Sequence, residues 1–152
     1  MSSASGTIEA FKAEHLGQAE WTGEPMAKAV GYDASPEEVG RKYVENGGGI
    51  TVRYDGRIIA CMGVVRLWSG VGEVWCFTSA EAARRPRLLC RAALWGIQNA
   101  IPFLGLHRVQ AHVRMDFPAA LRWIRYLGFS QEGVCLAYTA DKQDVSRWGR
   151  LA

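Results

Sequence analysis

The stretch from residue 73 to residue 106 constrains the fold most, because its pattern is a strand, a turn and a long helix in direct succession. Residues 73–77 are an apolar run typical of a buried strand, and Pro86 suits the first position of the helix that follows. Residues 108–114 then alternate apolar and polar side chains, which predicts another strand. Because a helix joins these two strands, we expect them to be parallel.

The chain before this stretch contains one clear helix start and several weaker patterns. Ser35-Pro36-Glu37-Glu38 combines a capping serine, a proline at the first helical position and a glutamate three residues after the cap. This pattern predicts a helix that runs to about residue 46, where three glycines end it. The weaker patterns predict a strand over residues 7–13, a short helix over 14–21 and a helical turn within 25–30.

A β-hairpin is the clearest short-range feature. Residues 50–54 and 57–67 are rich in β-branched and apolar residues, and Asp55-Gly56 between them favours a type I′ turn. Gly63 inside the second strand suggests a bulge.

The end of the chain is predicted to hold a helix and two short strands. Asp116 is expected to cap a helix whose apolar stripe ends at Gly128. Strands follow at about residues 130–133 and 134–139, and the last strand could pair with a second copy to form a homodimer. We therefore expect a single domain over residues 1–140, with a polar C-terminal tail over 141–152.

Composition excludes several classes of protein. The hydrophobic fraction is 49% and the net charge is +3, without a block of basic residues, so we expect no nucleic-acid partner. The long helix pattern is interrupted by Arg91, Asn99 and Pro102, which argues against a membrane span. Four scattered cysteines and three scattered histidines lack metal-ligand spacing, so we expect no metal, and buried free thiols indicate a cytoplasmic location.

The turn before the long helix carries a concentration of positive charge. Arg84, Arg85 and Arg87 lie where a strand–turn–helix unit presents backbone N–H groups and the positive end of a helix dipole. Cations are disfavoured at a helix N-terminus, and a bound phosphate or pyrophosphate would remove that conflict. Simple exposure of the three side chains to water would remove it as well, so both interpretations stay open.

The order of these elements resembles that of the GCN5-related N-acetyltransferase (GNAT) superfamily, over about residues 8–139. The most specific part is PAALRWIRYLGF, residues 118–129, which resembles the family's fourth helix. GEVWCFTS resembles the family's fourth strand. The resemblance implies an α/β (α+β) fold with a mixed, mostly antiparallel sheet of six or seven strands and helices on both faces.

The resemblance also implies a function, the transfer of an acetyl group from acetyl-CoA to a small-molecule or protein amine. Acetyl-CoA would lie between two splayed strands. The pantetheine amides would pair with the fourth strand, and the pyrophosphate would contact the basic turn. The implied cofactor-binding residues are Trp75, Cys76, Phe77, Thr78, Arg84, Arg85, Arg87, Leu88 and Asp116.

Two catalytic positions follow from the same resemblance, and one departs from the family pattern. Glu73 would remove the proton from the acceptor amine, with an exposed strand-edge carboxylate as the alternative interpretation. The helix position where many members carry a proton-donating tyrosine is Ile124, which cannot donate. Two further side chains have a chemical and a structural interpretation. His112 is either a base or an ordinary strand residue, and Cys76 is either a nucleophile or a core thiol.

The basic turn departs from the family as well, because it contains no glycine. The Trp75…Thr78-Ser79 ending, this glycine-poor turn and Ile124 resemble a divergent phage branch of the superfamily, which includes the small internal virion protein of T7-like phages. That likeness implies a non-catalytic structural or accessory protein, located in the virion, as the alternative to an enzyme.

Overall fold

The computed structural model describes residues 5–22 and 34–152. Within these ranges the strands are β1 (Gly6–Ala10), β2 (Gly49–Tyr54), β3 (Arg57–Trp68), β4 (Val71–Thr78), β5 (Arg108–Arg114), β6 (Ser130–Cys135) and β7 (Val145–Leu151). The α-helices are α1 (Pro36–Glu45), α2 (Pro86–Leu104) and α3 (Pro118–Tyr126), with 3-10 turns at Ala13–Gly17 and Ala80–Arg84. The strands form one sheet in the order β1-β2-β3-β4-β5-β7-β6.

The sheet is antiparallel except for the pairing of β4 with β5, so the predicted parallel pair is confirmed. Helix α1 packs on one face through a cluster that includes Val39, Trp75 and Phe77. Helices α2 and α3 pack on the other face, where Ile97 and Ile124 meet the inner residues of the strands. Both faces of the sheet are hydrophobic, and helices cover both of them, as predicted.

Local sequence signals account for the first helix and the hairpin. Glu38 N donates to Ser35 Oγ at 3.2 Å and Ser35 N donates to Glu38 Oε2 at 3.0 Å, so the predicted capping box is confirmed. Asp55 and Gly56 have φ values of 52° and 76°, as a type I′ turn requires. The predicted short helix over 14–21 is instead the 3-10 turn at Ala13–Gly17. The helical turn predicted within residues 25–30 lies outside the described residues.

Gly63 makes room for a tryptophan and does not mark a bulge. Gly49, Gly63 and Trp75 lie side by side across β2, β3 and β4, and the register shifts of these strands lie elsewhere. A Cβ atom at either glycine would come within 2.8 Å of Trp75 Cζ2. Tyr43 of α1 stacks on the indole, with ring centroids 4.1 Å apart. The glycines thus let the indole lie between the sheet and α1.

The segment predicted to be a tail contains a strand that is paired on both sides within the sheet. Residues Val145–Leu151 form β7 between β5 and β6, whereas residues 136–139 lie in the loop before it. Trp148 is 2% exposed, and its Nε1 donates to Ser146 Oγ at 2.7 Å, while Ser146 Oγ donates to Val113 O at 3.0 Å. The buried polar atoms of Trp148 and Ser146 therefore find their hydrogen-bond partners within the sheet. The sequence of this segment does not show the alternation of apolar and polar residues typical of a strand, because its outward positions carry arginine and glycine.

The sheet edges in the described part of the chain are β1 and β6, since β7 pairs on both sides. A dimer formed by strand pairing would therefore use β1 or β6 and not β7, and the homodimer stays a prediction. No helix within residues 5–22 and 34–152 has the length and apolar character needed to cross a bilayer.

The position of Gly63 generates a prediction about stability. In Gly63→Ala the new Cβ would lie 2.2 Å from Gly48 O and 2.8 Å from Trp75 Cζ2, and backbone cannot move aside at low cost. We expect the free energy of unfolding to fall by about 1–3 kcal/mol in urea titrations. Gly133→Ala is the matched control, because nothing lies within 4 Å of its added Cβ, and it should change stability by less than about 0.5 kcal/mol. Equal losses in the two variants would contradict the packing argument.

Candidate active site

Strands β4 and β5 separate after a short shared segment. They pair only at Val71↔Arg108, Gly72↔Val109 and Glu73↔Gln110, although β4 continues to Thr78. Beyond that point β5 pairs with β7 alone. The second half of β4 therefore presents backbone N–H and C=O groups to a gap instead of to a neighbouring strand.

The gap is the floor of a cleft with a volume of about 1170 Å³, which is large for a small-molecule site. Helix α2 along its length and the inner face of α3 form its helical walls. The described residues that line it at the gap include Val74, Cys76, Thr78, Ala111, Val113 and Trp123.

Glu73 and His112 meet where the two strands diverge. His112 Nδ1 lies 2.5 Å from Glu73 Oε1, and both side chains are half-buried in the wall of the cleft. A carboxylate only accepts hydrogen bonds, so Nδ1 carries a proton, and in the neutral form of the imidazole the lone pair lies on Nε2. The structure thus joins the predicted catalytic glutamate to a histidine that lies far from it in sequence. Alternation along β5 had placed His112 on the same face as Gln110, but sequence gave no sign of the partner.

Two phenols accompany this pair. The Tyr138 ring stacks on His112, with centroids 5.4 Å apart and planes at 5°. Burial and then the negative charge of Glu73 raise the pKa of Tyr138. The same two causes raise the pKa of Tyr43 to about 12. Both phenols therefore keep their protons at neutral pH and can donate hydrogen bonds.

Cys76 is exposed in the wall of the cleft, and the protein atoms packed around its sulfur bury the thiol only in part. That burial, with a smaller contribution from Cys61, raises the pKa of the Cys76 thiol to about 12. A thiol attacks an acyl group only as its thiolate, so this environment opposes the nucleophile interpretation. All four cysteines are unpaired.

The predicted basic turn does not direct its arginines into the cleft. Arg85 Nη2 lies 3.1 Å from Glu81 Oε1, and its guanidinium lies 3.9 Å from the centroid of the Tyr54 ring. Arg84 is 79% exposed and 3.9 Å from Glu81. None of Arg84, Arg85 and Arg87 is among the described residues that line the cleft. The acidic neighbour and the water around this turn relieve the conflict with the helix dipole.

Two backbone N–H groups lie beside this end of the cleft, next to the lining residues Pro86 and Leu89, and one hydroxyl lines it. The first bond of α2 runs from Leu89 N to Arg85 O at 3.0 Å, and Pro86 has no N–H, so Arg87 and Leu88 carry the N–H groups without an intrahelical acceptor. Ser79 Oγ lines the cleft and is buried without a hydrogen-bond partner. These donors fit an anionic or polar ligand better than an apolar one.

Leu88, predicted to bind the cofactor, does not line the cleft, and two further predicted positions lie elsewhere or are inert. Asp116 does not cap α3, whose N-cap is Phe117, because both its oxygens accept from Arg114, at 3.0 and 2.9 Å. Arg114 holds the pKa of this carboxyl below its usual range. Asp116 also does not line the cleft, whereas Ile124 does, and Ile124 supplies no proton.

Comparisons with known proteins agree with this geometry at the level of fold. No protein-family model and no curated protein sequence matches the chain. The solved structure of Ard1 from Thermoplasma volcanium is similar over 97% of this chain and 97% of its own, with a TM-score of 0.75 and 15% identity. The putative acetyltransferase yncA from Salmonella typhimurium, solved with its cofactor acetyl-CoA, is similar over 96% and 93%, with a TM-score of 0.76 and 14% identity.

A spermidine N-acetyltransferase mutant, SpeG from Vibrio cholerae, gives a TM-score of 0.70 at 18% identity over 96% of this chain and 93% of its own. These likenesses confirm that the chain has the GNAT fold, a mixed seven-stranded sheet with helices on both faces. Nothing in them supports the predicted phage branch.

The environment of Cys76 predicts slow chemistry at this thiol. At pH 8 a pKa of about 12 leaves about a thousandfold less thiolate than the ordinary value of 9.0. We expect iodoacetamide to alkylate Cys76 correspondingly more slowly in the native protein than in the urea-unfolded chain, as measured by peptide mass spectrometry. The native rate should still rise about tenfold per pH unit between pH 9 and 10, because the thiol remains protonated there. A native rate that rises only about twofold between pH 9 and 10 would show an ordinary thiol.

Proposed function

We propose that this protein is an N-acetyltransferase that uses acetyl-CoA to acetylate an amine. The observation that carries the proposal is the Glu73–His112 pair at the divergence of β4 and β5, in the wall of a cleft whose floor offers unpaired backbone groups. A proton acceptor and an array of N–H donors in one cleft are what acyl transfer to an amine requires.

Groups in and beside the cleft fit acetyl-CoA, although not through the side chains that the sequence suggested. The open edge of β4 matches the amides of pantetheine, as one strand matches another. The Arg87 and Leu88 N–H groups and the unpartnered Ser79 hydroxyl would hold the diphosphate. When bound, acetyl-CoA supplies a thioester carbonyl that an amine can attack.

His112 takes the proton of the acceptor in this proposal. An ammonium group has no lone pair, so the acceptor must lose a proton before attack, and His112 Nε2 has a lone pair available for it. Glu73 then stabilises the imidazolium through its contact with Nδ1. Glu73 thus acts through His112 and orients the ring, which Tyr138 also holds by stacking.

The departing thiolate needs a proton from another group, because Ile124 supplies none. Tyr138 lines the cleft and stays protonated at neutral pH, since burial and Glu73 raise its pKa. We assign it as the proton donor. The unpaired cysteines accord with a reducing cytoplasm as the site of the reaction.

The proton-transfer roles predict the behaviour of two variants. His112→Gln and Glu73→Gln should lower kcat at pH 7.5 by about 10²–10⁴-fold, because a positioned base contributes that much. Release of CoA in the presence of a panel of amines is the measurement. Glu37→Gln, an exposed carboxylate on α1, is the matched control and should leave kcat unchanged. Full activity in both site variants would remove the pair from the mechanism.

Binding of the cofactor has its own test. Acetyl-CoA at ~100 times its Kd should stabilise the protein by about 2.7 kcal/mol, read as a thermal shift. S-acetylpantetheine, which lacks the diphosphate, should give a smaller shift at the same concentration if the start of α2 holds that group. The site variants His112→Gln and Glu73→Gln should keep the shift. No shift at millimolar acetyl-CoA would exclude the enzyme and leave the non-catalytic alternative.

A further inference from the structure

The sheet face that carries the Glu73–His112 pair continues onto β5 and β7 as a charged surface. Residues directly opposite each other share a face, and Arg147 of β7 lies directly opposite His112. Among the described residues, the cluster under α1 on this face contains no residue of β5 or β7, and α2 and α3 pack on the other face. A ligand whose amine reached His112 would therefore lie beside Arg147.

Arg147 is held only loosely by its protein neighbours. Its Nη2 lies 3.5 Å from Gln110 Oε1, at the limit of a hydrogen bond, and its Nε lies 3.9 Å from Glu132 Oε1. The side chain is 46% exposed. A guanidinium with such long contacts keeps donors for a ligand and can shift toward it at little cost.

The carboxylate next to Arg147 is committed to a different arginine. Arg108 donates to both oxygens of Glu132, through Nη1 at 2.8 Å and through Nη2. Gly149 leaves room for this pair, because a Cβ at that position would lie 2.7 Å from Arg108 Nη1 and 2.8 Å from Glu132 Oε1. Arg108 holds the pKa of Glu132 below its usual range, so the pair stays charged.

The charges around this pair do not balance. Arg108, Arg147, Glu132 and Cys135 line a cavity of about 450 Å³. Two guanidiniums share one carboxylate that already forms two bonds with Arg108, which leaves one positive charge on the side of Arg147. Within the described residues that line this cavity, no other acid offsets it.

We propose that the acceptor of this enzyme carries an anionic group, a carboxylate or a phosphate, close to the amine, and that Arg147 binds this group. The inference rests on the proposed function and specifies its substrate class. His112 and Arg147 are directly opposite, with Cα atoms about 4.5–5.5 Å apart, so one small molecule can carry both the amine and the anion. A polyamine would place a second cation against Arg147 and is disfavoured.

Matched acceptors test the substrate class with the wild-type protein. L-Phenylalanine differs from 2-phenylethylamine by one carboxylate, and O-phosphoethanolamine differs from ethanolamine by one phosphate. We expect the anionic member of at least one pair to have a kcat/KM about tenfold or more above its partner, the size of one charged hydrogen-bonded contact. Spermidine should be a poor acceptor. The pair with the larger ratio identifies carboxylate or phosphate as the anion.

Substitutions at Arg147 test the residue. Arg147→Gln should abolish the preference by raising KM for the anionic acceptors, with kcat and the rates of the uncharged acceptors unchanged. Arg147→Lys should restore part of the preference, because it keeps the charge without the planar fork. Arg57→Gln, an exposed arginine at the hairpin turn, is the control and should behave as the wild type.

A binding measurement separates this inference from the proposed function. Protein saturated with CoA cannot transfer an acetyl group, and calorimetric titration with the preferred anionic acceptor should show binding that is lost in Arg147→Gln but kept in Arg57→Gln. A protein that shows the acetyl-CoA thermal shift but prefers spermidine or the uncharged amines, or acetylates neither anionic acceptor, overturns the inference alone. A preference that survives in Arg147→Gln overturns the role of Arg147. Absence of any acetyl-CoA binding overturns the proposed function, and the inference with it.

Discussion

The structure depends on the choice of strand partner made by β5. The first residues of β5 pair with β4, whereas its whole length pairs with β7. Once β4 diverges, β5 continues beside β7 alone. The β5–β7 ladder, with Trp148 buried beneath it, thereby leaves the β5-facing edge of β4 open over its second half, while the other edge of β4 stays paired with β3. An open strand edge in a protein interior would be costly unless a ligand or water satisfied it. The cleft is the consequence of that incomplete sheet.

The same divergence explains why a catalytic pair can form at this place. Glu73 is the last β4 residue that pairs with β5, so its side chain and that of His112 remain within hydrogen-bond distance. Beyond Glu73 no residue of β4 pairs with β5. The dyad therefore lies at the one level of the sheet where strand pairing and open cleft meet. Tyr138, from the β6–β7 loop, completes the arrangement by stacking on the imidazole.

Charge distribution around the cleft differs from what a count of basic residues suggests. In the turn before α2, Arg85 contacts Glu81 and the Tyr54 ring, and Arg84 is largely exposed to solvent. The unbalanced guanidinium lies instead on the opposite side of the dyad, at Arg147. An arginine that is paired with a neighbouring acid is less available to a ligand. Where the arginines are paired, backbone N–H groups are the remaining donors for an anion.

The sequence by itself determined the elements whose signals are local. The capping box at Ser35, the Asp55-Gly56 turn and the strand–helix–strand unit follow from neighbouring residues, and so does the GNAT architecture that their order implies. Tertiary structure alone decided the strand nature of Val145–Leu151, because its outward positions carry arginine and glycine and its pairing partners are distant. It also decided that Glu73 meets His112, since contact between residues on separate strands depends on register and not on local preference.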